Sequence, residues 1–149
     1  MKKIFTVFLF SIAFNSYSQD CYNETIFREA DSIKNIFIRD SFEIMRETSL
    51  KMETQYPSPI IFRLKKGEWY HLIFVPDNSS RLVEVELFNS DEQRIFYEKN
   101  KKKDEAGTVV SFSIIAPENN VYNIRLLQIN KHAKELCGYF ILMRKKSNH

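Results

Sequence analysis

His71 is the side chain in this sequence best placed to do chemistry. It lies on an alternating stretch, Trp69 to Val75, that precedes Val83, Val85 and Leu87 with Glu84 and Glu86 between them. If the two stretches pair antiparallel, the imidazole faces a carboxylate, which is how a general base is held. A surface ion pair has the same geometry, and it is the preferred reading because no motif places a nucleophile nearby. The sequence has no His-Glu-x-x-His helix, no Gly-x-Ser-x-Gly elbow and no phosphate-binding glycine loop, and it holds only 3 Gly.

Oxygen donors come next. Asp77 and Asn78, with Asp91 and Glu92, could bind calcium, but their spacing matches no calcium loop, so they read as solvated turn residues and no metal is expected. Lys101, Lys102 and Lys103 are followed by Asp104 and Glu105, which cancel much of their field; this run reads as a solvated hairpin tip. Trp69, Tyr97 and Tyr56 are the candidate ligand-binding aromatics, because a flat ring that is exposed and rigid can stack on a sugar. Core or edge packing is the alternative for each. Asp31-Ser32-Ile33 resembles a short O-glycosylation signal of exported bacterial proteins.

These residues are addressed to the outside of the cell. Lys2 and Lys3 precede an apolar run from Ile4 to Phe14, and Ser16 and Ser18 are small residues at the −3 and −1 positions before Gln19. The run spans about 11 residues against the roughly 20 of a bilayer helix, so residues 1–18 read as a cleaved signal peptide and no transmembrane anchor is expected. A lipidated Cys21 would need a small residue before it, where Asp20 stands. The expected location is secreted or periplasmic, in a bacterial cell envelope. No cofactor is expected there, since the exterior offers neither ATP nor reduced nicotinamide.

Cleavage after Ser18 removes 18 of the 149 residues and leaves 131, a single domain over 19–149. It also removes two lysines and no acid, so 20 basic against 19 acidic residues leave a charge of +1, and no nucleic-acid partner is expected. Cys21 and Cys137 are an even pair in an oxidising compartment, which favours one disulfide over two buried thiols.

The elements that must position these groups follow from periodicity. Asn23 caps a helix with Ile26, Phe27, Ala30 and Ile33 on one stripe, ending near Lys34. A first strand is expected over Ile36 to Arg46, in competition with a helix continuing through Met52. Ile60 to Leu64 and Trp69 to Val75 read as a hairpin about Lys65-Lys66-Gly67. Further strands are expected over Val83 to Leu87, Arg94 to Glu98, Val110 to Ile114, Tyr122 to Leu126 and Leu136 to Arg144. Eight strands with regular turn signals predict a mainly β chain: an antiparallel β-sandwich or jelly roll with one short N-terminal helix.

Four segments, Leu64 to Leu72, Val85 to Asn89, Ile114 to Pro117 and Asn120 to Leu126, resemble the bacterial prepeptidase carboxy-terminal (PPC-like) β-sandwich and small secreted proteins of unknown function built on it. Asn89 and Glu92-Gln93 depart from that pattern, which has Asp and Gly in this turn, and Asn120 stands where Gly is common. The resemblance implies a non-catalytic accessory module and carries over no active-site residue. The expected function is therefore binding or structural association with an envelope protein or glycan. A carbohydrate-binding module is the nearest variant, and a hydrolase with dispersed site residues is the rival from another class.

Overall fold

A computed structural model describes residues 21–101 and 109–147. The expected signal peptide, Lys102, Lys103 and the terminal His149 lie outside the described residues.

Among the described residues one helix, α1 (Glu24–Arg39), precedes eight strands: β1 (Phe42–Glu53), β2 (Ser58–Leu64), β3 (Trp69–Pro76), β4 (Leu82–Phe88), β5 (Arg94–Lys101), β6 (Val110–Ile115), β7 (Asn120–Ile129) and β8 (Glu135–Lys145). They form two antiparallel four-stranded sheets. Sheet A has the order β1-β8-β3-β6 and sheet B the order β2-β7-β4-β5, so successive strands alternate between the sheets, except for the β4–β5 hairpin within sheet B, in the manner of a jelly roll.

The expected hairpin of β2 and β3 is corrected by this topology. The two strands lie in different sheets, and Lys65-Lys66-Gly67 is an arch between them. Tyr70 holds the arch: its hydroxyl accepts from the Lys65 N–H at 3.0 Å and donates to Glu68 at 2.7 Å. Alternating strands on either side of a turn look the same whether they pair with each other or with third strands, so the sequence pattern does not separate the cases. Gly67 takes φ +77° at this arch, a conformation that suits glycine. Pro59 sits on β2, an edge strand of sheet B, where its missing N–H costs no ladder bond.

The helix is longer than expected. Asn23 caps it, its side-chain oxygen accepting from the Thr25 and Ile26 N–H groups. It passes Lys34 because Phe37 continues the stripe of Ile26, Ala30 and Ile33 at i+4. It stops at Asp40 and Ser41, which takes φ +66° as the left-handed residue after the cap. The first strand accordingly runs over Phe42–Glu53 instead of Ile36 to Arg46.

Two apolar clusters result. Tyr70, Leu72 and Phe74 of β3 and Phe140 and Leu142 of β8 meet Val85, Leu87, Tyr122, Ile124 and Leu126 between the sheets. Ile73, Val75, Ile141 and Met143 point away from that core and are covered by Ile26, Ala30, Phe27, Ile33 and Phe37 of the helix. The centre of sheet A is thus buried on both faces. Gly138 on β8 fits the inner core closely: a Cβ there would lie 2.8 Å from Cε2 of Phe74.

Candidate functional site

His71 is 5% exposed and lies under the helix, with its ring stacked on Phe37 at 3.7 Å between centroids. Its neighbours across the two ladders are Ser113 of β6 and Met143 of β8, and none is on β4, because β3 and β4 belong to different sheets. Nδ1 is 2.6 Å from Ser113 Oγ and Nε2 is 2.7 Å from Ser111 Oγ. The expected pairing with Glu84 or Glu86, whether as base or as surface ion pair, is therefore corrected. Those carboxylates bind Lys99 at 3.2 Å and Arg94 at 2.9 Å on sheet B.

Could the serine contacts make a nucleophile and base? The distances suit such a pair, and a neutral ring uses one nitrogen to donate and the other to accept. Burial, however, pushes the His71 pKa down to about 4, so the ring is a weak base near neutral pH. The hydrogen bonds satisfy a buried imidazole on an interior strand of the sheet, which is a structural role.

The three aromatics marked in the sequence fall on separate elements. Trp69 begins β3, with its ring 5.8 Å from Phe42 and the Lys145 ammonium 5.7 Å from its centre. Tyr56 follows β1 and lies beyond the opposite end of sheet A, since the register pairs Phe42 with Lys145 and Glu53 with Glu135. Tyr97 lies on β5 of sheet B with the Arg94 guanidinium 4.5 Å from its ring centre. Asp77 and the pair Asp91-Glu92 stand at opposite ends of β4 and cannot share an ion. Among the described residues no group of three or more His, Cys, Asp or Glu is placed to hold a metal. Ser32 of the Asp31-Ser32-Ile33 tripeptide is exposed on the helix.

The structure brings together a different set. Cys21 and Cys137 are joined, with Cα atoms 5.5 Å apart, which anchors the chain just before the helix to β8. Tyr22 follows that anchor and stacks on Phe27 at 5.1 Å, and Phe27 in turn meets Tyr139 at 4.9 Å. With Glu47, Thr48 and Ser49 of β1 these rings line a cleft of about 330 Å³ at the uncovered margin of sheet A. Tyr22 is 76% exposed yet is fixed at its backbone by the disulfide and at its ring by Phe27.

The polar side of the cleft is organised around Glu47. Lys34 reaches it at 3.0 Å and Asp31 at 2.8 Å; burial opposes the ammonium charge, but the bonds to the two carboxylates outweigh it and raise the Lys34 pKa. Burial also raises the pKa of Tyr139, with the Glu47 charge adding to the effect. The rings of this cleft are absent from the set marked by sequence reasoning. A signal was present, because Tyr22 adjoins Cys21 and Tyr139 lies two residues after Cys137, so the disulfide itself brings both tyrosines together.

No family model and no curated protein matches the chain. Among solved structures, a Glycosylation Associate Protein (Gap123) complex from Streptococcus agalactiae aligns at 22% identity over 70% of this chain, with a TM-score of 0.33. The aligned part spans 33% of that structure's chain, and similarity at that level carries no argument about function. No helix among the described residues is long and apolar enough to cross a membrane.

Proposed function

We propose that this chain is an exported, non-catalytic accessory module of the PPC-like type, which acts in the bacterial cell envelope, periplasmic or secreted, by binding a partner through the cleft of Tyr22, Phe27 and Tyr139. One observation carries this reading: the exposed Tyr22 ring is held rigid by the adjacent Cys21–Cys137 bond and by stacking on Phe27. A rigid aromatic presents contact area with little side-chain entropy left to lose, which is what a binding surface needs. The non-catalytic part draws support from His71, whose ring nitrogens are taken by two serines and whose pKa is pushed down to about 4 by burial.

A glycan is the partner class that the cleft favours. Beside the flat ring stand the Glu47 carboxylate and the hydroxyl groups of Thr48 and Ser49, a combination that pairs an apolar ring face with acceptors and donors for sugar hydroxyls. Titration calorimetry of the mature protein against neutral envelope oligosaccharides tests the reading, with Tyr22→Ala weakening binding by about tenfold or more. Binding that is indifferent to Tyr22→Ala, or absent across the panel while an envelope protein co-purifies through the same residue, would replace the glycan by a protein partner. Mass spectrometry of exported material should find a mature terminus at Gln19; a retained Met1 would overturn the location.

A further inference from the structure

On the outer face of sheet B two aromatic rings are each covered by an arginine. The guanidinium of Arg125 lies 4.4 Å from the centre of the Phe88 ring, and that of Arg94 lies 4.5 Å from Tyr97. A guanidinium stacked in this way is held flat while its N–H edge stays available to an in-plane acceptor. What those edges meet differs. Arg94 donates to Glu86 at 2.9 Å, whereas Arg125 on β7 and Arg63 on the adjacent strand β2 have no ion pair among the described residues.

The two unpaired cations share one track. Arg125 lines a cleft of about 170 Å³ with Ile61, Phe88 and Asn123, and the adjoining cleft of about 420 Å³ holds Arg63 and Lys65. Across the ladder Arg125 faces Pro59, and Arg63 is four residues further along β2, so the two guanidinium-bearing positions are about 13 Å apart along the strands. Glu92 lines this track and Glu86 stands across the ladder from Arg125, but Glu86 is already paired with Arg94 at 2.9 Å, which leaves Glu92 against the three cations Arg125, Arg63 and Lys65.

Asn123 stands in the middle, flanked by Ile61 and Phe88 in the register of β7. Its Oδ1 is the one buried side-chain oxygen or nitrogen without a hydrogen-bond partner among the described residues. A buried acceptor without a donor is costly, and a hydroxyl entering between Ile61 and Phe88 would relieve that cost.

We infer that this face is a second binding site, distinct from the Tyr22 cleft, and that it takes an acidic glycan. The ligand must bring an anionic acceptor for the Arg125 and Arg63 forks and an O–H donor for Asn123, and a sugar acid carries both on one ring. The spacing of the arginines suits a short oligomer better than a single ring. Because the aromatic faces here are occupied by guanidinium groups, recognition runs through carboxylate hydrogen bonds and not through ring stacking.

The test is calorimetry of the mature protein with a short oligogalacturonate, its fully methyl-esterified form and poly-L-glutamate. The acid form should bind, should weaken as salt is raised, and should exceed the ester by about tenfold or more, since the ester keeps the hydroxyl groups and loses the charge. Arg125→Gln and Arg63→Gln, both at exposed positions, should each cost about tenfold, while Tyr22→Ala should leave this affinity unchanged. Equal binding of ester and acid, equal binding of poly-L-glutamate, or no binding of the acid form would overturn the assignment. Loss on Tyr22→Ala instead would move the ligand to the first cleft.

Discussion

The two sheets of this sandwich face outward in opposite ways. Behind sheet A, a helix anchored by a disulfide buries Ile73, Val75, Ile141 and Met143, and even a histidine finds both its partners inside. Among the described residues sheet B has no such cover. Its outward positions hold ion pairs, arginines laid on rings, an isoleucine that is 62% exposed and an asparagine with an unpartnered acceptor. Equivalent positions on similar strands thus do structural work on one side and remain available for recognition on the other. Burial decides the difference, because an apolar or polar group acts on stability only to the extent that folding removes it from water.

The sharpest way to break this comparison is to truncate one isoleucine on each face. Ile73→Ala removes a side chain that is 0% exposed and should cost about 2–5 kcal/mol in chemical denaturation. Ile61→Ala, on the open face, should stay within about 0.5 kcal/mol. Similar costs at the two positions would mean that sheet B is covered in solution.

Removing the anchor comes next. The Cys21→Ser, Cys137→Ser double variant opens a link across 116 residues of sequence, and about 2–4 kcal/mol of stability should go with it. Hydrogen exchange should show faster opening in the helix than in β4 and β7. Uniform acceleration would show instead that both faces depend on the bond.

His71 sharpens the comparison through pH. Its folded pKa, about 4, lies below the ordinary value of 6.5, so the unfolded chain binds the extra proton first as pH falls. The neutral ring's contribution is complete above about pH 6.5 and is lost progressively down to about pH 4, by up to about 3 kcal/mol. Denaturation midpoints for the parent and for His71→Gln should diverge over that window, and parallel curves would place the histidine in contact with water.

The smallest effect is expected at Asn123. Replacement by leucine removes an acceptor that has no partner, so stability should be unchanged or rise by up to about 1 kcal/mol in a thermal melt. A loss beyond about 1 kcal/mol would show that the amide is satisfied in solution and would weaken the case for a ligand at that point.

The strands were legible from alternation. Val83, Val85 and Leu87, and likewise Tyr122, Ile124 and Leu126, bury the faces their period indicates, because a side-chain repeat of two is a local property of extended backbone. Asn23 as the cap and Cys21 with Cys137 as the bridge were also readable, since one depends on the next few residues and the other on compartment and parity. The helix end was not. Ile36, Phe37 and Ile38 fit either period, and only the surface that Phe37 finds on Phe42 and His71 selects the helix.

By itself, then, the sequence determined the mainly β class, the type of every element outside the stretch about Ile36 to Arg39, and the disulfide, all of which follow from local periodicity and residue chemistry. The tertiary structure alone decided which strands pair, and with that the surroundings of every candidate residue. Placing β3 beside β6 and β8 gave His71 two serines in place of Glu84 and Glu86. Carrying Cys21 to β8 set Tyr22 within ring contact of Phe27, and Phe27 within ring contact of Tyr139. Strand pairing is settled by which apolar faces can be buried together across long stretches of chain, and that choice leaves no mark on the alternation within any one strand.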